Sequence, residues 1–307
     1  MIDQATIEEF NANLCGQLIQ PSDEDYEEAC KIYNAMIDRR PGIIARCANV
    51  ADVMAAVNFA RENNTLVAIR GGGHNGPGLG TCDEGLVIDL SPIKYTRVDP
   101  QARTVQVGGG CTWGDVDHAT HAFGLATPSG IVSTTGVGGL TLGGGHGYLT
   151  RKYGLTIDNL LAADMVLADG SFVTASAEEN KDLFWAIRGG GGNFGVVTEF
   201  RFRLHPVHTI IGGPTLWHRE QTTEVMQWFR DYMEQAPEDL YGFFAILTVP
   251  PGPPFPEELH LKKMCGVVWC YTGPGKSRRS FSTNQGIWPP GYVRHSTHAL
   301  PRSAGSI

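Results

Sequence analysis

Four runs of glycine have the spacing to bind phosphate. The first is Arg70-Gly71-Gly72-Gly73-His74-Asn75-Gly76-Pro77-Gly78 and the second Val107-Gly108-Gly109-Gly110. The third joins Gly136-Val137-Gly138-Gly139 to Gly143-Gly144-Gly145-His146-Gly147, and the fourth is Arg188-Gly189-Gly190-Gly191-Gly192-Asn193-Phe194-Gly195. Consecutive glycines let the backbone come close to a ligand and take positive φ, so successive N–H groups can converge on a diphosphate without cationic side chains. Any single run is equally well explained as a turn. The set is not, because 39 of 307 residues are glycine, well above the roughly 7% of average usage. No run continues into Lys followed by Ser or Thr, so none is a P-loop. Nor does the first run open a helix within one βαβ unit, as a dinucleotide-binding Rossmann turn would. An extended dinucleotide spread over several loops suits the pattern better.

The elements that must position these runs are partly visible. Residues 22–63 have a helical pattern, with Ser22 as a cap and Val50, Val53, Val57 and Ala60 on one apolar stripe, which predicts a helix pair around Pro41-Gly42. The period then shortens. Leu66–Ile69, Leu86–Leu90 and Thr104–Val107 read as strands between glycines and prolines. Thr112 and Asp115 have the spacing of a helix start, with Gly124 as its stop after Trp113–Phe123. Asp169-Gly170 between two β-rich runs predicts a hairpin. Asn180–Ile187 reads as a short helix and Val196–Leu204 as a strand. Beyond about residue 209 the glycine runs stop, and a second domain is expected, with a helix over Thr223–Glu234 and strands near Phe243–Val249 and Val267–Tyr271. Residues 276–307 hold five Lys or Arg and no Asp or Glu, without helical or strand period, and are expected to be disordered.

Bulk properties narrow the partners. A formal charge of −8 and a pI of about 5.7 supply no basic field for nucleic acid or an anionic membrane. The first residues carry Asp3, Glu8 and Glu9 and no long apolar run, so neither leader nor membrane anchor is expected and the cytoplasm is the expected compartment. The seven cysteines, at 15, 30, 47, 82, 111, 265 and 270, are scattered and odd in number, reading as reduced thiols without metal-ligand spacing.

Taken in order, these segments resemble the PCMH-type FAD-binding domain of vanillyl-alcohol-oxidase-type flavoproteins. They are most similar to the berberine-bridge-enzyme-like branch that includes 6-hydroxynicotine-oxidase-like proteins. The likeness runs through Arg70–Asn75, Leu86–Ser91, Val107–Gly110, Gly136–Gly139, Gly143–Gly145, Arg151-Lys152-Tyr153-Gly154-Leu155, Asp158-Asn159 and Arg188–Thr198, covering about residues 38–208. It implies an α+β protein: an FAD-binding domain of two α/β subdomains over residues 1–209, then an incomplete antiparallel-sheet substrate domain over 210–275, with 276–307 as an aberrant tail.

The resemblance further implies that His74 bonds covalently to the 8α carbon of FAD, an attachment that needs a neutral imidazole nitrogen as nucleophile. Where some relatives add a second, cysteinyl bond this chain has Val132, so one covalent bond is expected. Cys111 lies too far along to take that place. Arg70, Gly71, Gly72, Gly73, Asn75, Gly136, Val137, Gly138, Gly139, Gly143 and Gly145 are implied around the diphosphate and flavin edge, and Val197 beside the adenine. As physics alone, Val197 is strand core. His146 reads as a satisfied loop histidine, and Arg151, Lys152 and Asp158, which could contact ligand, read more simply as closing structural pairs. The implied function is an FAD-dependent oxidase moving a hydride from a small alcohol, sugar or amine to FAD, with oxygen as reoxidant. The C-terminal segment that supplies a tyrosine base in many relatives has no counterpart in this sequence, so no catalytic base is assigned. That leaves a non-catalytic FAD-binding remnant as the alternative. Substrate identity, electron acceptor and oligomeric state do not follow from the residues.

Overall fold

The computed structural model describes residues 2–253, 255–273, 292–293 and 296–299. The described residues divide into two compact units, 2–147 and 154–206 in the first, and 148–153 with those from 207 onward in the second.

The first unit contains two sheets. In chain order its first half has α1 (Gln4–Ala12), β1 (Gln17–Ile19), α2 (Tyr26–Cys30), β2 (Ile43–Arg46), α3 (Val50–Glu62), β3 (Val67–Arg70) and β4 (Leu86–Asp89). The strands pair in the order β1-β2-β4-β3, parallel except for β1. The predicted helix pair is corrected here. The first helix is only five residues long and starts after Asp25 rather than at Ser22, and β2 intervenes before α3. Ile43, Ile44 and Ala45 are all buried, and a strand covered on both faces has no alternation to betray it. The stripe on α3 is observed, with Val53, Ala56, Val57 and Ala60 buried at i, i+3, i+4 and i+7. Asn49 caps α3 by accepting from the Asp52 N–H, while the buried Asp52 carboxylate accepts from the N–H groups of Cys15, Gly16 and Ala48. One carboxylate thus ties the N-terminal segment to the head of α3.

The second half has β5 (Thr96–Asp99), β6 (Thr104–Gly108), α4 (Trp113–His121), β7 (Leu125–Ala126), α5 (Val137–Leu142), α6 (Thr150–Tyr153), β8 (Leu160–Val166), β9 (Phe172–Ser176), α7 (Lys181–Ile187), β10 (Val196–Arg203) and β11 (His205–Pro206). An antiparallel sheet β5-β6-β10-β8-β9 forms its floor, and β7 pairs with β11. The hairpin turn holds Gly170 at φ +83°. The α4 start is as expected, the Asp115 carboxylate accepting from both the N–H and the hydroxyl of Thr112. Part of the third glycine run proves to be helix α5 rather than loop, its N-terminal flank being Gly136. A core of Val105, Val107, Trp113, Met165, Val197, Phe200 and Phe202 lies beneath it.

The second unit is built on β12 (Thr209–His218), α8 (Thr222–Gln235), β13 (Leu240–Thr248), β14 (Lys263–Tyr271), β15 (Tyr292–Val293) and β16 (Ser296–Ala299), paired antiparallel as β13-β14-β12 with β15 and β16 on the far edge of β12. β12 went unpredicted because Gly212-Gly213-Pro214 sits inside it, a composition that argues against a central strand. Helix α8 lays Val225, Trp228, Phe229, Tyr232 and Met233 on Trp217, Trp269 and Tyr271. Arg151 donates to the carbonyls of Met233 and Ala236, the C-terminal end of α8, and Lys152 pairs with Asp239. These are the structural contacts expected of that charged run. Apart from β15 and β16, the tail expected to be disordered lies outside the described residues. Among the described residues no helix is long and apolar enough to cross a membrane.

Candidate functional site

The first unit brings together glycine runs that are far apart in sequence. β3 delivers Arg70 and then the first run; β6 delivers the second; α5 begins in the third. Gly72 and Gly136 meet back to back: a Cβ on Gly72 would lie 2.3 Å from Gly136 N, and one on Gly136 would lie 2.2 Å from Gly72 N. Only glycine at both positions allows the two loops to touch. The second run joins them, because a Cβ on Gly71 would meet Gly109 O at 3.3 Å, and Val137 N–H donates to Cys111 O at 2.9 Å. The fourth run docks on the end of α5, with Gly189 and Gly191 N–H both donating to Leu142 O at 3.1 and 3.0 Å.

At this meeting point stands His74, hydrogen-bonded to the loop that contains Gly136. Its Nε2 is 2.9 Å from Thr134 Oγ1 and its Nδ1 3.4 Å from Thr135 Oγ1. The Tyr33 ring stacks on the imidazole at 4.0 Å between centroids and 19° between planes. Tyr33 N–H donates to Gly73 O, and Gly73 itself takes φ +68°. Burial pushes the His74 imidazole below its ordinary value. The site therefore favours the neutral ring, the form that can act as a nucleophile.

The other expected ligand-binding residues sort into two groups. Arg70 is a correction: its guanidinium is turned into the protein, Nη2 donating to Asp89 Oδ2 at 2.9 Å and Nη1 to Ala29 O at 2.6 Å. Arg70 and Asp89 are opposite one another on parallel β3 and β4, and Arg46 on β2 reaches the same carboxylate at 3.6 Å. Val137 and Val197 point their side chains into the core. Asn75 closes a turn, its Oδ1 accepting from Leu79 N–H. Gly145 takes φ +76° and a Cβ there would strike the Thr156 side chain. At Gly138 a Cβ would make only ordinary contact with Phe200, and at Gly143 it would lie 3.3 Å from Gly139 O. At Gly139 it would meet nothing within 4 Å, so the protein itself gives no reason for that glycine. An exposed backbone free of side chains beside a neutral imidazole is what an extended, anionic dinucleotide with a reactive ring requires, and the residues present fit FAD on these grounds.

Three neighbours were missed from sequence: Thr134, Thr135 and Tyr33. No local signal marks them, because their roles arise from the contact between Gly72 and Gly136. Thr134 also borders a cavity of about 610 Å3 whose lining includes Lys94, Tyr95, Cys111, Asp115 and His118. Lys94 pairs with Asp115 there at 3.1 Å. Cys111 is fully buried and its thiol is pushed up to about 11 by that burial, which leaves it a poor nucleophile. His146 is exposed, and Asp158 pairs with Arg188 at 3.6 Å.

A sequence profile of the FAD binding domain matches residues 41–176. An FAD-linked oxidoreductase of Dictyostelium discoideum is 40% identical over 249 residues, 80% of this chain and 54% of its own length. The crystal structure of 6-hydroxy-D-nicotine oxidase from Arthrobacter nicotinovorans superposes with a TM-score of 0.83 at 29% identity, over 93% of this chain and 62% of its own. The BBE-like 1 protein of Physcomitrella patens does so with a TM-score of 0.83 at 28% identity, over 95% and 62%. The chain thus spans about half the length of the curated relative.

Proposed function

We propose that the chain, which has an FAD binding domain and is similar to FAD-linked oxidoreductases, holds FAD covalently through His74 as part of an oxidase for a small alcohol, sugar or amine. What supports this reading most is the closure of the glycine runs around one imidazole that is kept neutral and held on three sides by Thr134, Thr135 and Tyr33. Bound FAD would supply the acceptor for a substrate hydride, with oxygen taking the electrons onward.

The chain's own residues do the positioning. Gly72 and Gly136 let two loops close at one point, and Gly139 leaves its backbone open towards the diphosphate. The partial burial that shifts His74 towards its neutral form leaves a lone pair on one ring nitrogen for the 8α carbon. Arg70 does not contact the cofactor in this reading; with Asp89 it fixes β3, the strand from which the first run departs. Similarity to 6-hydroxy-D-nicotine oxidase supports keeping amines among the candidate substrates.

The test is a visible absorption spectrum of purified protein, supplied with FAD, before and after acid precipitation, on wild type and His74→Ala. The expected result is a flavin band that stays with precipitated wild type and is wholly released from His74→Ala. Flavin that washes out of wild type in acid would refute the covalent link, and colourless protein would refute the FAD site itself.

A further inference from the structure

The reading of His74 as the attachment point leaves open how one ring nitrogen is made available. A neutral imidazole carries its proton on one nitrogen and its lone pair on the other, and the hydrogen bonds around it decide which. The two candidate partners here are unequal. Thr134 Oγ1 lies at 2.9 Å from Nε2, a full hydrogen bond, while Thr135 Oγ1 is 3.4 Å from Nδ1, beyond the normal range. A proton on Nδ1 would have only the poor partner, whereas a proton on Nε2 has the good one. In a half-buried ring a badly bonded N–H costs more than a badly bonded lone pair, so the Nε2–H form is favoured and Nδ1 is left nucleophilic.

Thr134 is itself held in place. Its flanking carbonyls, Ser133 O and Thr135 O, accept from Gly114 and Trp113 N–H at 2.8 and 2.9 Å. Those amides belong to the first turn of α4, which Thr112 and Asp115 fix. The helix start thus sets a loop, and the loop sets a hydroxyl against a histidine 60 residues earlier in the chain.

We propose that Thr134 is the positioning residue for flavin attachment, holding His74 in the Nε2–H form and relaying the Nε2 proton to solvent as Nδ1 forms its bond. This rests on the reading of His74 as the covalent site. The new bond joins Nδ1 to the 8α carbon, which gives up one hydrogen as a proton. The ring nitrogen Nε2 releases its own proton through Thr134, which is exposed to solvent. The electron pair left behind passes to the isoalloxazine ring and from it to dioxygen, the co-reactant, which becomes hydrogen peroxide. A hydroxyl suits both ends of the step. It accepts from Nε2–H before attachment and, by rotating, donates to the Nε2 lone pair afterwards, as a methyl group cannot.

The experiment follows covalent incorporation into the purified chain after FAD is added, scored as acid-stable flavin against total bound flavin, in wild type, Thr134→Val, Thr134→Ser and Thr135→Val. Thr134→Val is expected to bind FAD but attach it about tenfold more slowly, the equivalent of one hydrogen bond. Thr134→Ser is expected to restore the rate, and Thr135→Val to change it little. Attachment at the wild-type rate in Thr134→Val overturns the proposal. Should Thr134→Val fail to fold, imidazole nitrogen NMR of the flavin-free wild type decides: an Nε2–H signal for His74 supports the assignment and an Nδ1–H signal overturns it. Wild type whose flavin is entirely acid-released would remove the covalent premise, a result distinct from any variant effect, and the proposal with it.

Discussion

Two regions around the glycine runs are glycine-rich or charged for opposite reasons. At the junction where β3 runs into the first glycine loop, every unusual residue is accounted for by the protein. Arg70 answers Asp89 and Ala29, and Gly72 and Gly136 lack side chains because each occupies the other's space. At the rim the protein explains less. A Cβ on Gly139 would touch nothing, and the same holds for Gly192 in the fourth run, whereas Gly189 and Gly191 also face open space but take φ +109° and +74°, which already calls for glycine. A run of glycines in a sequence merges two causes, close packing of chain on chain and space kept for something else. Asking what a Cβ would meet separates them.

The junction should respond to substitution as structure. Arg70→Met leaves the Asp89 carboxylate buried and short of its main partner, which costs about 3–5 kcal/mol. The lower end is expected, because Arg46 Nε remains 3.6 Å from the same oxygen. Denaturant unfolding of FAD-free protein measures it. A loss below about 1 kcal/mol would mean that the pair behaves as a surface pair and that Arg70 is available for a ligand after all. Gly136→Ala comes next, at about 1–3 kcal/mol, because its Cβ would press on backbone, which yields less readily than a side chain. That loss should appear in FAD-free protein too. A variant as stable as wild type without FAD, yet defective in binding it, would move Gly136 from the junction to the rim.

The junction and the rim were not equally legible in the sequence. The glycine runs, the α4 start at Thr112 and Asp115 and the hairpin at Asp169-Gly170 all announce themselves through local backbone chemistry and are legible in the sequence. β2 and β12 were not. The first is buried on both faces and has no period; the second carries Gly212-Gly213-Pro214, and its pairing to β14 overrides what those residues prefer alone. The site divides in the same way. His74 stands out by its setting among glycines, but Thr134, Thr135 and Tyr33 do not, since each reaches the imidazole only once two distant loops have closed. Arg70 was misassigned for a related reason. A cation at the head of a phosphate-binding loop looks like a ligand until the strand register puts Asp89 opposite it.

The smallest effect is also the one that best separates the two regions. Gly139 lies in the first turns of α5, where alanine is the better helix former and the added methyl would meet no neighbour. Gly139→Ala should therefore raise the stability of FAD-free protein by about 0.5 kcal/mol, the opposite sign from Gly136→Ala three positions away. FAD affinity should nonetheless fall, by about tenfold, because the methyl group stands where the open backbone is proposed to meet the diphosphate. Thermal unfolding with and without FAD measures both quantities on one sample: the melting temperature of the variant should exceed wild type without FAD and gain less when FAD is added. If the gain on adding FAD matched wild type, the space at Gly139 would be ordinary solvent, and the distinction between junction and rim would lose its functional meaning.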